Sequence, residues 1–261
     1  MFIDIVELNR KLKSNGCSAA GNVVWFDQIG STNDYIMALE DPHAAVCIAG
    51  LQTKGRGRRG NSWQAPYGSS VLMSMGWRIE PQRVGGLSLA CGIAVRRALQ
   101  ELGVENVSLK WPNDLLLGEA KFAGILTEIT DKKSVVGLGM NINIVESQPQ
   151  SPGQTSLPWT DLHREGYNID FLTLVNRLIT ELCYTLSHFC KVGFEPFIEE
   201  WNRYHNYHLS QVQINGAQTL SGQVKGVDRF GGLIIDTQDG EQTLYSGAIS
   251  MRPESHHGAR S

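Results

Sequence analysis

An α+β fold, with a mixed and mainly antiparallel sheet packed by helices and a small all-β barrel at the C-terminal end, is predicted by three features of this sequence. Leu87 to Leu102 places Leu87, Ala90, Cys91, Ala94, Val95, Ala98 and Leu102 at the three-and-four spacing of one helical face. Short apolar runs separated by Gly, Pro, Asn, Asp and Lys crowd residues 107–144, as neighbouring antiparallel strands do. Beyond His208 the texture changes to brief strands with tight turns at Asn215-Gly216, Asp228 to Gly232 and Asp239-Gly240. The chain therefore divides at 1–208 and 209–253, with a tail at 254–261 that lacks any apolar pattern.

Taken in order, residues 4–13 predict a short helix and Val23 to Asp27 a strand. Ser31 or Thr32 then caps a helix beginning near Asn33, because a hydroxyl can accept from a free amide of the first turn. Ala44 to Gln52 is an apolar run short enough for a buried strand, and Ser69 to Arg78 alternates as another. Strands follow at Val107 to Trp111, Leu115 to Leu117, Phe122 to Ile129 and Ser134 to Ile144. Gln148 to Trp159, rich in Pro, Ser, Gly and Gln, reads as a loop. Asp170 caps a long helix with Phe171, Leu174, Val175, Leu178, Ile179, Leu182, Leu186 and Phe189 on one stripe, and a third helix spans Phe194 to Tyr204.

Composition narrows the function. The 261 residues fit one main domain with a small appendage, and 41% hydrophobic content supports a sizeable core. A formal net charge of −3 argues against nucleic-acid binding through bulk charge, which needs a surplus of cations. The five cysteines, Cys17, Cys47, Cys91, Cys183 and Cys190, form no CxxC pair, so a reducing cytoplasm is expected. Nowhere do about eighteen uncharged apolar residues run together, and neither a signal peptide nor a membrane span is expected. His205 and His208 lack companions for a metal-ligand set.

Two dense segments carry the chemistry. Gly55-Arg56-Gly57-Arg58-Arg59-Gly60 packs three cations and three glycines into six residues. It matches GxGxxG formally, but Asn61 to Gly68, containing Pro66, cannot be the first turns of the helix that a dinucleotide fold requires. Glycine hinges with bidentate arginines instead suit a loop that closes over an anion, without which the loop has little to fix its shape. Lys110-Trp111-Pro112-Asn113-Asp114 brings a cation, an aromatic face, a rigid turn, an amide and a carboxylate together. Asp114 suits a magnesium–nucleotide unit, unless the segment is only a strand end with an Asn-Asp turn. Lys121 is either a snorkelling strand-edge lysine or a point charge for a carboxylate or α-phosphate. Gly137 and Gly139 within a strand mark either a bulge or a close approach to the backbone. Trp159 is a packing anchor or a stacking surface for a purine.

In this order and at these separations, Ser31-Thr32-Asn33, Gln52 with GRGRRGNSW (55–63), KWPND (110–114), KFAGILTEI (121–129), GLGMN (137–141) and SGAISMR (246–252) resemble the biotin protein ligases. The resemblance covers nearly the whole chain. It implies a catalytic domain related to the class II aminoacyl-tRNA synthetases, followed by an SH3-like barrel. It also implies formation of biotinyl-5′-AMP from biotin and ATP with magnesium, then transfer to one lysine of the biotin carboxyl carrier protein of acetyl-CoA carboxylase. By the same resemblance, Ser31, Thr32, Asn33, Gln52, Arg56, Gly57, Arg58 and Lys121 line the biotin site. Lys110, Asn113, Asn141 and Trp159, with Arg58, serve ATP and adenylate. Lys121, Arg56 and Arg58 are the catalytic group, and Asp114 is the magnesium-linked acid.

Some members add an N-terminal helix-turn-helix repressor domain. Roughly thirty residues precede Ser31, too few for that module plus the first strand, so a monofunctional ligase is expected. Asn61-Ser62 stands where some relatives carry further basic residues, so weaker retention of the adenylate is expected. Two competitors remain, a lipoate-type acyl ligase or transferase and a non-catalytic biotin sensor. The RxxGGG-type loop of the first is poorly matched by Arg83-Val84-Gly85-Gly86, and the second needs a DNA-binding module. Homodimerisation is left open.

Overall fold

The structure, a computed structural model, describes residues 3–130, 133–145, 158–215, 219–245 and 250–253. Most of the predicted Gln148–Trp159 loop, part of SGAISMR, Gly216 and the 254–261 tail lie outside the described residues.

A seven-stranded sheet forms the body. Its strands are β1 (Val23–Ile29), β2 (Val46–Gln52), β3 (Ser70–Trp77), β4 (Val107–Lys110), β5 (Asp114–Leu117), β6 (Ala120–Ile129) and β7 (Ser134–Asn141), in the spatial order β1-β2-β3-β7-β6-β5-β4. Every pairing is antiparallel except β1 with β2, which are joined through the helix α2 (Thr32–Ala38). β4 stops at Lys110, one residue short of the predicted end, because Trp111 to Asn113 form the turn into β5.

Period-two alternation separates the two faces of this sheet. Val46, Ile48, Val71, Met73, Met75, Ile125, Val136, Leu138 and Met140 point into the main core with α3 (Leu87–Glu101) and α4 (Phe171–Val192). The other face carries Ser70, Ser74 and Gly76 on β3, paired with Asn141, Gly137 and Val135 on β7. Small and polar residues there leave room, and α2 covers only part of it, against β2, β3 and β7.

Local chemistry sets the helix ends. Asp4 caps α1 (Ile5–Ser14) by accepting from Glu7 N at 3.0 Å, and Asp170 caps α4 by accepting from Thr173 N at 2.9 Å. Ser31, rather than Thr32, caps α2. The predicted Phe194–Tyr204 helix divides into a 3-10 turn, Glu195–Phe197, and α5 (Ile198–Tyr204), because Pro196 fits a first turn but not an interior.

The C-terminal strands β8 (Gln211–Asn215), β9 (Thr219–Val227), β10 (Leu233–Thr237), β11 (Gly240–Leu244) and β12 (Ser250–Pro253) form a five-stranded antiparallel sheet, ordered β11-β10-β9-β8-β12. Its buried Val212, Val224, Val227, Leu233 and Ile235 belong to the same continuous core as the large sheet. Trp111 Nε1 donates to Gly231 O at 3.0 Å, so the KWPND turn is tied directly to this second sheet. No described helix is long and apolar enough to cross a membrane.

Candidate active site

The open face of the large sheet gathers the predicted residues into adjoining groups. At the α2 end, Gln52 Oε1 accepts from Thr32 N at 2.7 Å and from Thr32 Oγ1 at 3.1 Å. Ser74 Oγ lies 2.6 Å from Thr32 Oγ1 and 2.5 Å from Asn33 Oδ1. With one proton, it donates to one of them at a time. Ser31, Thr32, Asn33 and Ser74 are all buried, so this is a desolvated network of amides and hydroxyls in which Thr32, Asn33, Ser74 and Gln52 bond to one another.

The basic loop is ordered by its own backbone. The segment pairs with itself: Trp63 N donates to Gly55 O at 2.9 Å, Gly57 N donates to Asn61 O at 2.7 Å, and Arg56 bridges Ser62. Gly55 is required because a Cβ there would stand 2.4 Å from Trp63 O. The turn then passes through left-handed conformations at Arg59 and Gly60, with φ of 59° and 75°. A short hairpin gives the loop a shape of its own.

Its arginines take different partners. Arg56 forks onto Asp34, Nη1 to Oδ2 at 2.8 Å and Nη2 to Oδ1 at 2.7 Å, and Nη2 also reaches Glu128 Oε1 at 3.0 Å. The hydrogen bonds to Asp34 and Glu128 raise the pKa of Arg56, and the guanidinium holds the Asp34 carboxyl below the usual carboxylate range. Arg58 instead donates to the amide oxygen of Asn113 at 3.3 Å. Burial, then the nearby Arg59, lower its pKa, while Asp114 acts in the opposite sense.

Beside Arg58, Lys121 Nζ lies 2.6 Å from Asp114 Oδ1, with both side chains less than one-fifth exposed. Lys121 therefore points into the site. The contact is a close ion pair in which the ammonium neutralises the buried Oδ1. Asn113 is fixed by donating to Ile125 O at 2.8 Å. The backbone of Lys121 carries the next segment, through Lys121 N to Pro158 O at 2.9 Å and Thr160 N to Lys121 O at 3.0 Å, which brings Trp159 alongside. Asn141 braces the same segment by donating to Thr160 O at 3.1 Å, and Arg164 stacks 4.3 Å over the Trp159 ring. Lys110, the cross-strand partner of Asp114, is buried with its ammonium 5.7 Å from the Tyr207 ring centroid. Gly57 sits in the hairpin without a side chain to contribute.

Sequence reasoning passed over three residues of this site. Trp63 lies over Gly139, where a Cβ would stand 2.5 Å from its Cε2, and beside Gly124. The glycines in β7 thus serve close approach, since the β3–β7 and β6–β7 registers run without a shift. The Trp63 Nε1 donor is buried with no hydrogen-bond partner among the described residues, and Lys121 Nζ lies 5.7 Å from the ring centroid. Ser74 was visible only as a polar residue in the alternating run 69–78, and Glu128 only as the acid inside KFAGILTEI. Among the described residues, no group of three or more His, Cys, Asp or Glu is arranged to hold a metal ion.

Comparison with known proteins gives a consistent result. The Biotin/lipoate A/B protein ligase family profile matches residues 25–144, and the Biotin protein ligase C terminal domain profile matches residues 210–252. The chain is 36% identical over 244 residues to the bifunctional ligase/repressor BirA of Escherichia coli, covering 89% of this chain and 74% of that protein. It is 31% identical over 223 residues to the biotin–[acetyl-CoA-carboxylase] ligase of Mycobacterium tuberculosis, covering 80% and 81% respectively. The fold is similar to that of a biotin protein ligase from Aquifex aeolicus in complex with biotin and ATP, with TM-score 0.78, 27% identity, and coverage of 89% of this chain and 99% of that one.

Proposed function

The chain belongs to the biotin protein ligase family, and from that premise we propose that it makes biotinyl-5′-AMP from biotin and ATP and passes the biotinyl group to one lysine of a biotin carboxyl carrier protein of acetyl-CoA carboxylase. The observation that carries this reading is the Lys121–Asp114 pair with Arg58 and Asn113 beside it, on the same large sheet as the polar network of Ser31, Thr32, Asn33 and Gln52. One end suits a small polar ring system, and the other suits a carboxylate meeting a phosphate.

In the first step a biotin carboxylate oxygen bonds to the α-phosphorus, the bond from phosphorus to the bridging oxygen breaks, and pyrophosphate leaves with the electron pair. Two anions are driven together. Lys121 and Arg58 offset that repulsion at short range and low dielectric, where such charges act most strongly. Trp63 on its glycine floor and the hairpin around it exclude water from the mixed anhydride. In the second step the neutral ε-amine of the carrier lysine attacks the acyl carbon, the acyl–oxygen bond breaks, AMP departs with that oxygen, and the amine loses a proton. Alignment suffices for this step, with no covalent intermediate on the enzyme.

Asp114 is the carboxylate that would hold magnesium, together with phosphate oxygens, in exchange for its present contact with Lys121 Nζ at 2.6 Å. A single carboxylate plus phosphate oxygens is an ordinary magnesium environment, and the ion would neutralise charge on the phosphates. In this reading Trp159, held beside Lys121, packs on adenine with Asn141 bracing that segment, and Lys110 serves the nucleotide from behind Asp114, its cross-strand partner. We assign residues 1–208 to catalysis and 209–253 to the C-terminal unit, in a cytoplasmic enzyme.

Incubating the protein with ATP, magnesium and labelled biotin or lipoate, with and without a carrier domain, tests the reading. Biotinyl-adenylate without carrier and labelled carrier with it are expected. Selective use of lipoate would move the chain to the acyl-ligase reading, and biotin binding without turnover would make it a sensor.

A further inference from the structure

The lid arginine and the pocket asparagine share one acid, which neither the family profile nor the fold assigns. Glu128 lies near the end of β6, its Cα partner across the ladder is Val135 on β7, and its side chain is about one-third exposed. Its Oε2 accepts from Asn33 Nδ2 at 2.6 Å, and the same oxygen accepts from Arg56 Nη2 at 3.1 Å. Arg56 is meanwhile forked onto Asp34, one residue along α2 from Asn33. Asn33 is confined on its other side, since its Oδ1 faces Ser74 Oγ and packs so closely on Gly137 that a Cβ there would stand 2.4 Å away. Its amide can therefore turn little, and its donor end is aimed by Glu128.

We propose that Glu128 is a positioning residue that couples the two halves of the site, orienting the Asn33 amide in the biotin pocket and latching the Arg56 hairpin over it. This rests on the ligase reading above. A carboxylate is needed because the junction holds one guanidinium against Asp34 with a second acceptor still required by Asn33. An amide in its place satisfies Asn33 but offers Arg56 no charge. The acid acts through Asn33 and Arg56, without contact to reacting atoms.

The test compares Glu128→Gln and Glu128→Ala with the wild type, in biotin-dependent exchange of pyrophosphate into ATP and in release of preformed biotinyl-adenylate. E128Q keeps an oxygen for Asn33 and loses the charge, so adenylate release is expected to quicken about tenfold with the biotin KM nearly unchanged. E128A loses both, so release quickens and the biotin KM rises roughly ten- to a hundredfold, while kcat changes less. The gain in release rate from E128Q should shrink at high salt, because the lost contact is a partly exposed ion pair. Wild-type release and KM in both variants, or a fall in kcat alone, would overturn the proposal. If E128A does not fold, the release rate and KM of E128Q decide it. Absence of biotin-dependent exchange in the wild type would instead sink the ligase reading.

Discussion

Replacing Gly139 by Ala separates a site argument from a stability argument. The added methyl would stand 2.5 Å from Trp63 Cε2, 2.8 Å from Cζ2 and 2.9 Å from Cδ2, whereas carbon atoms pack at about 3.5–4.0 Å. The ring must therefore lift by about 1 Å. Gly139 itself is held in continuous ladders, opposite Leu72 on β3 and Gly124 on β6, so the backbone has no easy way to yield. A displacement of about 1 Å at a site that works by alignment lowers the rate roughly a hundredfold. Stability should move far less, because Gly-to-Ala exchange at a compatible backbone gains about 0.4–1 kcal/mol, against the partial loss of packing beneath Trp63. The assay is biotin-dependent exchange of labelled pyrophosphate into ATP beside thermal unfolding of the same sample. Exchange within twofold of wild type would refute the role given to the ring and its glycine floor.

Lys121→Ala should lower the same exchange by at least about a hundredfold, since it removes the point charge nearest Asp114; near-normal exchange would remove Lys121 from the chemistry. Arg58→Ala should speed escape of adenylate by about tenfold, read by rapid quench, and an unchanged release rate would end its lid role. His205 is buried against Trp201 with neither ring nitrogen paired among the described residues, and burial, followed by His208 and Lys110, pushes its pKa down from 6.5 to about 3. The unfolded chain therefore takes up a proton below pH 6.5 that the folded chain refuses until about pH 3. Stability is full above 6.5 and falls with acidification, by about 2 kcal/mol at pH 5 and roughly 4 kcal/mol by pH 3. His205→Phe should remove most of that slope in melting experiments between pH 5 and 8; an equally steep acid limb in the variant would refute the assignment.

What the sequence disclosed follows the range of the interactions involved. The Ser31 and Asp170 caps, the α3 and α4 stripes and the strands up to β7 were legible because each depends on neighbours within a turn or a two-residue period. Lys121 and Asp114 were legible as chemistry, and their meeting follows from a short β5–β6 hairpin. Glu128 was not, because its partners lie 95 and 72 residues away and meet it only through the strand order β3-β7-β6. Ser74 was hidden for the same reason, 41 residues from Asn33. The glycines of β7 left two readings open until the ladder showed an unbroken register with Trp63 above it. For Arg56 the sequence suggested an anion trap, and the carboxylates that occupy it come from α2 and β6, which local pattern cannot place beside a loop.

That difference divides the labour between the two arginines. Arg56 faces two carboxylates, so an arriving polyanion meets a locally negative group there and gains little from the cation. Its value lies in the geometry of the hairpin. Arg58 has lost much of its water and, among the described residues, meets the neutral amide oxygen of Asn113 in place of a bidentate carboxylate. A cation already desolvated has less hydration to surrender when a phosphate arrives, so more of the attraction appears as binding. Anion retention should therefore concentrate at Arg58 and salt-sensitive closure at Arg56, although the two stand only one glycine apart in the sequence.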